Sequence, residues 1–225
     1  IPAVSGVQAK DQDRVETVTY RKDAQKAVIR YVSTNGNRVL TTDEVTGKSG
    51  EAIAYSTTSQ ITEFKKQGYN LVSDEFTSGG AKVYDYDTAR DQVYTVTLSE
   101  RVEPVNPDNP TPQPNTPVNP GQPDSPRWPG TVENLDNKES VSRTIHYVYE
   151  DGSKAKDDVV ETLNFKRWSN VNLVTGHIDF QDWTTNDDTF DKVVSPTIAG
   201  YTADKSEIPA VSGVQAKDQD RVETV

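Results

Sequence analysis

Two acidic runs hold the residues best suited to chemistry. "YDYDTARD" (Tyr84 to Asp91) and "DWTTNDDTFD" (Asp182 to Asp191) crowd carboxylates and amides into short spans. A hard cation such as Ca²⁺ is held by clustered oxygen ligands, which makes Asp85, Asp87, Asp187 and Asp188 the candidate metal ligands. Neither run has EF-hand spacing, and a solvated turn is the plainer reading. No other cofactor is expected. The two histidines, His146 and His177, lie far apart, and the chain has no cysteine. Nucleophilic Cys-His chemistry and thiolate zinc sites are therefore excluded, and both histidines read as strand or surface residues. Carboxylates are too abundant for a glycosidase pair to be picked out, and small sheet domains offer little room for a deep substrate pocket. Enzymatic activity is not expected.

The elements that must carry these residues fall into two groups around a proline-rich stretch. Ten of the 13 prolines lie between Pro104 and Pro129. Proline fixes φ, removes a donor and biases its predecessor to extended geometry. Residues 103–130 are therefore expected to form an extended linker of polyproline-II type. Before it, "KAVIRYVST" and "VLTTDEVTGKSG" read as two strands around an Asn35-Gly36 turn. "STTSQITEFKKQGY" (Ser56 to Tyr69) reads as a helix, with Thr57 or Thr58 as cap, Ile61 and Phe64 on one face, and Gly68 as the stop. "NLVSDEF" and "QVYTVTLSERV" supply further strands. A hairpin, one crossing helix and closing strands fit an α+β, β-grasp (ubiquitin-like) plan over residues 22–102. After the linker, residues 131–225 read as a second, mostly β domain, with a turn at Asp151-Gly152 and a last strand at Asp220 to Val225.

Composition sets the outer limits. With 225 residues, 32% of them hydrophobic, the chain suits two small domains rather than one large core. A net charge of −11 disfavours nucleic acid and anionic lipid. No apolar run is long enough to insert in a membrane.

The stretch "IPAVSGVQAKDQDRVETV" occurs twice, at residues 1–18 and 208–225, identical at all 18 positions and offset by 207 residues. This period points to a large module repeated head to tail. Residues 1–21 are then expected to be the closing strands of a preceding repeat, outside any complete core here. Asp220 to Val225 should pair within its own domain.

Several segments carry a resemblance. "TIHYVYEDGSKA", "FDKVVSPTIAGYTADKSEIPAV", "VETVTY" and "GYNLVSDEF" resemble the Mub repeats of lactobacillal mucus-binding proteins. "AVIRYVSTNGNRVLTTDEVTGKSGEAIAYSTTSQI" is similar to the mucin-binding unit of those repeats. The resemblance implies tandem β-grasp-like domains of a surface adhesin displayed from a Gram-positive wall. It implies mucin glycoproteins as partners. A protein-binding module that captures immunoglobulins through exposed sheet edges is the alternative, and a passive stalk is another.

Glycan binding needs an exposed ring for the apolar C–H face of a sugar, with amide or charged partners for its hydroxyls. Tyr84, Tyr86, Arg90, Trp168, Trp183 and Asn186 are the candidates. Tyr84 and Tyr86 would share one side of a strand. The competing reading is that each ring fills a small core. Lys65, Lys66, Lys166 and Arg167 are the cations that could offset the acidic charge toward anionic glycans.

Overall fold

The computed structural model describes residues 3–225. Ile1 and Pro2, which open the first copy of the repeated stretch, lie outside the described residues.

The first unit contains β1 (Ala24–Ser33), β2 (Arg38–Lys48), α1 (Thr58–Lys66), β3 (Tyr69–Asp74) and β4 (Gln92–Glu100). Its sheet runs β2-β1-β4-β3, with β1 and β4 parallel at the centre. The Asn35-Gly36 turn closes the β1–β2 hairpin, and Gly36 and Asn37 take φ of 69° and 51°. Alternation puts Ala27, Ile29 and Tyr31 on one face of β1, where they are fully buried with Val96 and Leu98 of β4. Ile61 and Phe64 of α1 close this core, and Phe64 packs between the rings of Tyr31 and Tyr69. Thr57 takes the N-cap position but does not cap with its side chain. Its hydroxyl donates instead to Asp74 Oδ2 at 2.6 Å, tying the helix start to the end of β3.

The second unit comprises β5 (Val102–Val105), β6 (Lys138–Val148), β7 (Lys154–Lys166), β8 (Ser169–Asn172), β9 (Ile178–Phe180), β10 (Val193–Val194), β11 (Glu207–Ile208) and β12 (Arg221–Thr224). β6 and β7 form a long antiparallel hairpin, and β12 pairs parallel to β6 from the other side. β8 lies between β5 and β9, and β10 pairs with β11. Asp220 Oδ1 accepts from the Ser142 amide at 2.8 Å, which sets the register of the last strand.

The expected extended linker over residues 103–130 is corrected. Its first residues form β5, which pairs antiparallel with β8, so the chain enters the second unit as soon as it leaves β4. Residues 115–128 then fold back on themselves. The Asn115 amide donates to the Trp128 carbonyl, Trp128 donates to Thr116, and Val118 donates to Pro126. Proline restricts φ locally but leaves such cross-chain pairing open at the residues between prolines. Trp128 and Val118 pack with Val105, Val132, Val171 and Leu173 in a core cluster at the junction.

The two units meet directly. The Leu173 amide donates to the Arg101 carbonyl at 2.9 Å, and the Arg101 amide donates to Gly68 at 2.8 Å. Asn172 Nδ2 donates to Glu100 Oε2 at 2.8 Å. Gly68, with φ of 94°, sits so close to Leu173 that a Cβ there would lie 2.9 Å from the Leu173 Cβ.

The duplicated stretch occupies two different settings. Residues 3–18 are exposed throughout and belong to no strand. In the second copy Ile208, Val214 and Ala216 are buried, and Arg221–Thr224 is a strand.

Candidate functional site

The proposed glycan contacts do not converge on one site. Tyr84 is only 3% exposed. Its ring covers Gly47 and belongs to the first core, and burial raises the pKa of its hydroxyl. It cannot stack on a sugar. The expectation that Tyr84 and Tyr86 share a strand face fails because residues 84–91 form a loop with turns. The Asp85 and Asp87 side chains favour such turns by accepting from nearby backbone amides, in competition with a strand. The loop sends Tyr84 inward and leaves Tyr86 80% exposed.

Tyr86 extends toward Gly50, beside a shallow depression of about 480 Å³. Asp87, Arg90, Thr46, Lys48 and Glu51 contribute to its lining. Lys26 on its wall pairs with Asp91 at 2.9 Å and Glu44 at 3.3 Å, and these hydrogen bonds raise its pKa. The depression offers donors and acceptors of both charges, and the exposed Tyr86 ring, next to Asp87 in the chain, stands outside its lining.

In the second unit, Trp183 is not an open stacking platform. The Arg167 guanidinium lies 4.2 Å from its ring centroid and 4.0 Å from that of Phe180, while Lys217 Nζ lies 5.4 Å from Trp183. Arg167 also bonds Asp136, so the stack is pinned. Trp183 further packs against the core of Val141, Leu163, Phe165, Phe190, Val214 and Ala216. Trp168 is half exposed, with its carbonyl bonded to the Gln181 amide. Asn186 lies on a separate depression of about 390 Å³, bordered by Glu139, Asn164, Lys166 and Thr185.

The acidic candidates serve turns. Asp85 Oδ1 accepts from the Asp87 amide, Asp87 Oδ1 from Ala89, and Asp187 Oδ1 from Thr189. Asp188 Oδ1 accepts from the Thr189 hydroxyl at 3.0 Å. Among the described residues, no three carboxylate or imidazole side chains converge as a metal site would require. His146 bonds Asp158 at 3.0 Å on the sheet surface.

The cations are largely paired internally. Lys66 bonds Glu63 and approaches Asp124, Lys166 bonds Asp108, and Arg167 bonds Asp136. The hydrogen bond to Glu63 raises the Lys66 pKa.

One aromatic surface escaped the sequence reading. Tyr149 and Tyr201 pack with ring centroids 4.6 Å apart at an open cavity of about 570 Å³. Tyr147, Ser195, Thr197 and Thr202 also line it. Tyr201 is 62% exposed. The only local signal is an aromatic placed beside a turn, at "YEDG" and "GYT". The pairing across the fold carries none.

Comparison with known proteins fits this geometry. The Mucin binding domain family matches residues 25–100, and the Muc B2-like domain family matches residues 132–225. The chain belongs to the Mub/MucBP family of repeats. These are mucin-binding adhesin domains and not an enzyme family. The structure of Mub-RV superposes with a TM-score of 0.69 at 25% identity, covering 89% of this chain and 96% of that one. The type 2 repeat of the mucus binding protein MUB from Lactobacillus reuteri gives 0.57 at 27% identity, with the same coverage. No curated protein sequence matches the chain. Among the described residues, no helix is long and apolar enough to cross a membrane.

Proposed function

We propose that the chain is a non-enzymatic adhesin repeat of a bacterial cell surface that binds mucin glycans through several weak, shallow sites. The observation that carries this reading is that the two units match, in order, the Mucin binding domain and Muc B2-like domain families. We read the first unit, with its parallel β1–β4 centre, as a β-grasp-type domain. The two contact surfaces are the Tyr86–Arg90 depression and the Tyr149–Tyr201 cavity. Each offers an exposed ring for the C–H face of a sugar and polar groups for its hydroxyls. Neither encloses a ligand, so a single contact is weak. Avidity comes from joining sites on one polymer to sites along one chain.

Charge narrows the ligand. A net charge of −11, with Lys66, Lys166 and Arg167 already paired, leaves little to attract sialylated or sulfated termini. Neutral sugars are the preferred class. The test is retention of the chain on immobilised mucin before and after enzymatic removal of sialic acid. Retention should hold or rise after removal, and Tyr86→Ala with Tyr201→Ala should lower it at least several-fold. Absence of binding by the unaltered chain, or binding indifferent to both substitutions, would overturn the assignment.

A further inference from the structure

Asn35-Gly36, at the tip of the β1–β2 hairpin, is the single Asn-Gly pair of the chain. Thr34 to Arg38 are all exposed, and a Cβ on Gly36 would meet nothing within 4 Å. Among the described residues, no acceptor holds the Gly36 amide. Asparagine is a thermolabile residue. Its side-chain carbonyl carbon is attacked by the backbone nitrogen that follows it, and a bare, unbonded glycine amide resists that approach least.

The fold gives this turn a distant partner. Asn35 Nδ2 donates at 3.2 Å to Oε1 of Glu100, the last residue of β4. The other oxygen, Glu100 Oε2, accepts from Asn172 Nδ2 of the second unit at 2.8 Å. The Asn172 side-chain oxygen is held by the Val174 and Thr175 amides, both at 3.0 Å, so its nitrogen must face Glu100. An ionised carboxylate only accepts, which fixes the Asn35 amide in the same sense. Arg101, the next residue, is taken by Glu103. Glu100 thus stands between two amide donors, one from each unit.

We propose that Asn35-Gly36 is a self-modifying site with water as its reagent, and that its product loosens the junction of the two units through Glu100. The Gly36 nitrogen, its proton given up to solvent base, bonds to Asn35 Cγ. The Cγ–Nδ2 bond breaks and ammonia leaves, carrying a proton from solvent. Water then opens the cyclic imide at either carbonyl, giving aspartate or isoaspartate. The sum is asparagine plus water to a carboxyl group plus ammonia, with no change of oxidation state. A donor to Glu100 becomes a second carboxylate at hydrogen-bonding distance. Glu100 loses one of its two donors and gains a like charge, as charge-changing modifications do elsewhere. In the isoaspartate product the turn backbone is also longer by a carbon atom. Ammonia escapes, so the change runs one way. The chain then carries a slow conversion from a tighter to a looser junction, independent of what its surface binds.

The test holds the full chain in warm, mildly alkaline buffer and follows every asparagine by peptide mapping with mass spectrometry. The peptide containing Asn35 should gain the mass of deamidation, in both product forms, several-fold faster than any other. Asn35→Gln should gain none at that position and should keep its urea midpoint on ageing. In the unaltered chain the midpoint read by tryptophan emission should fall as deamidation proceeds. All three tryptophans lie beyond the first unit, so the fall shows that the change crosses the junction. Asn35→Asp should show the lowered midpoint from the start. Asn35→Asp with Glu100→Gln should regain most of it, since the new amide donates to Asp and its oxygen still accepts from Asn172. Deamidation at Asn35 no faster than elsewhere would overturn the site. An unchanged midpoint in Asn35→Asp, or a double variant no better than Asn35→Asp, would overturn the link to the junction.

Discussion

Gly68→Ala tests whether the two units act as one body. The position carries two separable costs. A φ of 94° is unfavourable for alanine, at about 1–3 kcal/mol. The new methyl would also lie 2.9 Å from the Leu173 Cβ and 3.1 Å from its carbonyl carbon, so the second unit must shift. Overpacking of this kind costs about 1–3 kcal/mol. Gly36→Ala isolates the first cost, since Gly36 has φ of 69° and nothing within 4 Å of its would-be Cβ. The expected total for Gly68→Ala is about 2–6 kcal/mol, exceeding Gly36→Ala by about 1–3 kcal/mol. Urea unfolding followed by tryptophan emission is the suitable assay. All three tryptophans, Trp128, Trp168 and Trp183, lie beyond the first unit, so their signal reports on the Leu173 side, and far-UV circular dichroism recorded alongside it reads the first unit, where Gly36 lies. Equal destabilisation by the two substitutions, within about 0.5 kcal/mol, would refute a packed junction at Gly68.

Further outcomes follow from buried polar groups. Arg143 is 1% exposed and bonds Glu161 and the carbonyls of Asp191 and Pro209. Arg143→Ala leaves these acceptors unmatched and should cost about 3–5 kcal/mol, read as a lowered urea midpoint in the same tryptophan assay. Tyr55 donates to Asp43, and its hydroxyl lies 2.9 Å from that of Tyr31. Tyr55→Phe should cost about 1–2 kcal/mol at neutral pH by thermal unfolding. Burial, then the bond to Asp43, push the Tyr55 pKa well above its ordinary value of 10.0. Its stabilising contribution is thus complete below pH 10.0 and falls as pH rises beyond it, because only the unfolded chain ionises there. The loss of stability above that pH should be shallower in Tyr55→Phe, and parallel profiles would contradict the assignment.

Elements set by local rules were legible in the sequence. The β1–β2 hairpin follows from alternating apolar residues flanking Asn35-Gly36, and α1 from Ile61 and Phe64 at helical spacing. Alternation at Tyr84 and Tyr86 resembles a strand, yet Asp85 and Asp87 accept from backbone amides two residues on and dissolve the period. The other failures depended on partners distant in sequence. The proline stretch was read from φ restriction alone, which is blind to a neighbouring edge such as β8 waiting for a strand. Trp183 and Arg167 looked like exposed recognition groups because nothing local reveals that they stack on each other. The duplicated stretch shows the division within one sequence, since its turn forms in both settings and its strand in only one.

The parallel pairings have a mechanical meaning. In the first unit β1 and β4 lie side by side and point the same way, and β6 and β12 do so in the second. These are the strands by which the chain enters and leaves each unit's central sheet. A tether that pulls the chain from both ends therefore drags each pair in opposite directions along the strand axis. The ladder of hydrogen bonds is loaded in shear and must yield together, rather than peeling one bond at a time. Because β5 passes straight from the first sheet into the second, tension crosses the junction along backbone that is itself paired. Under such a load the chain would stretch late and fail abruptly.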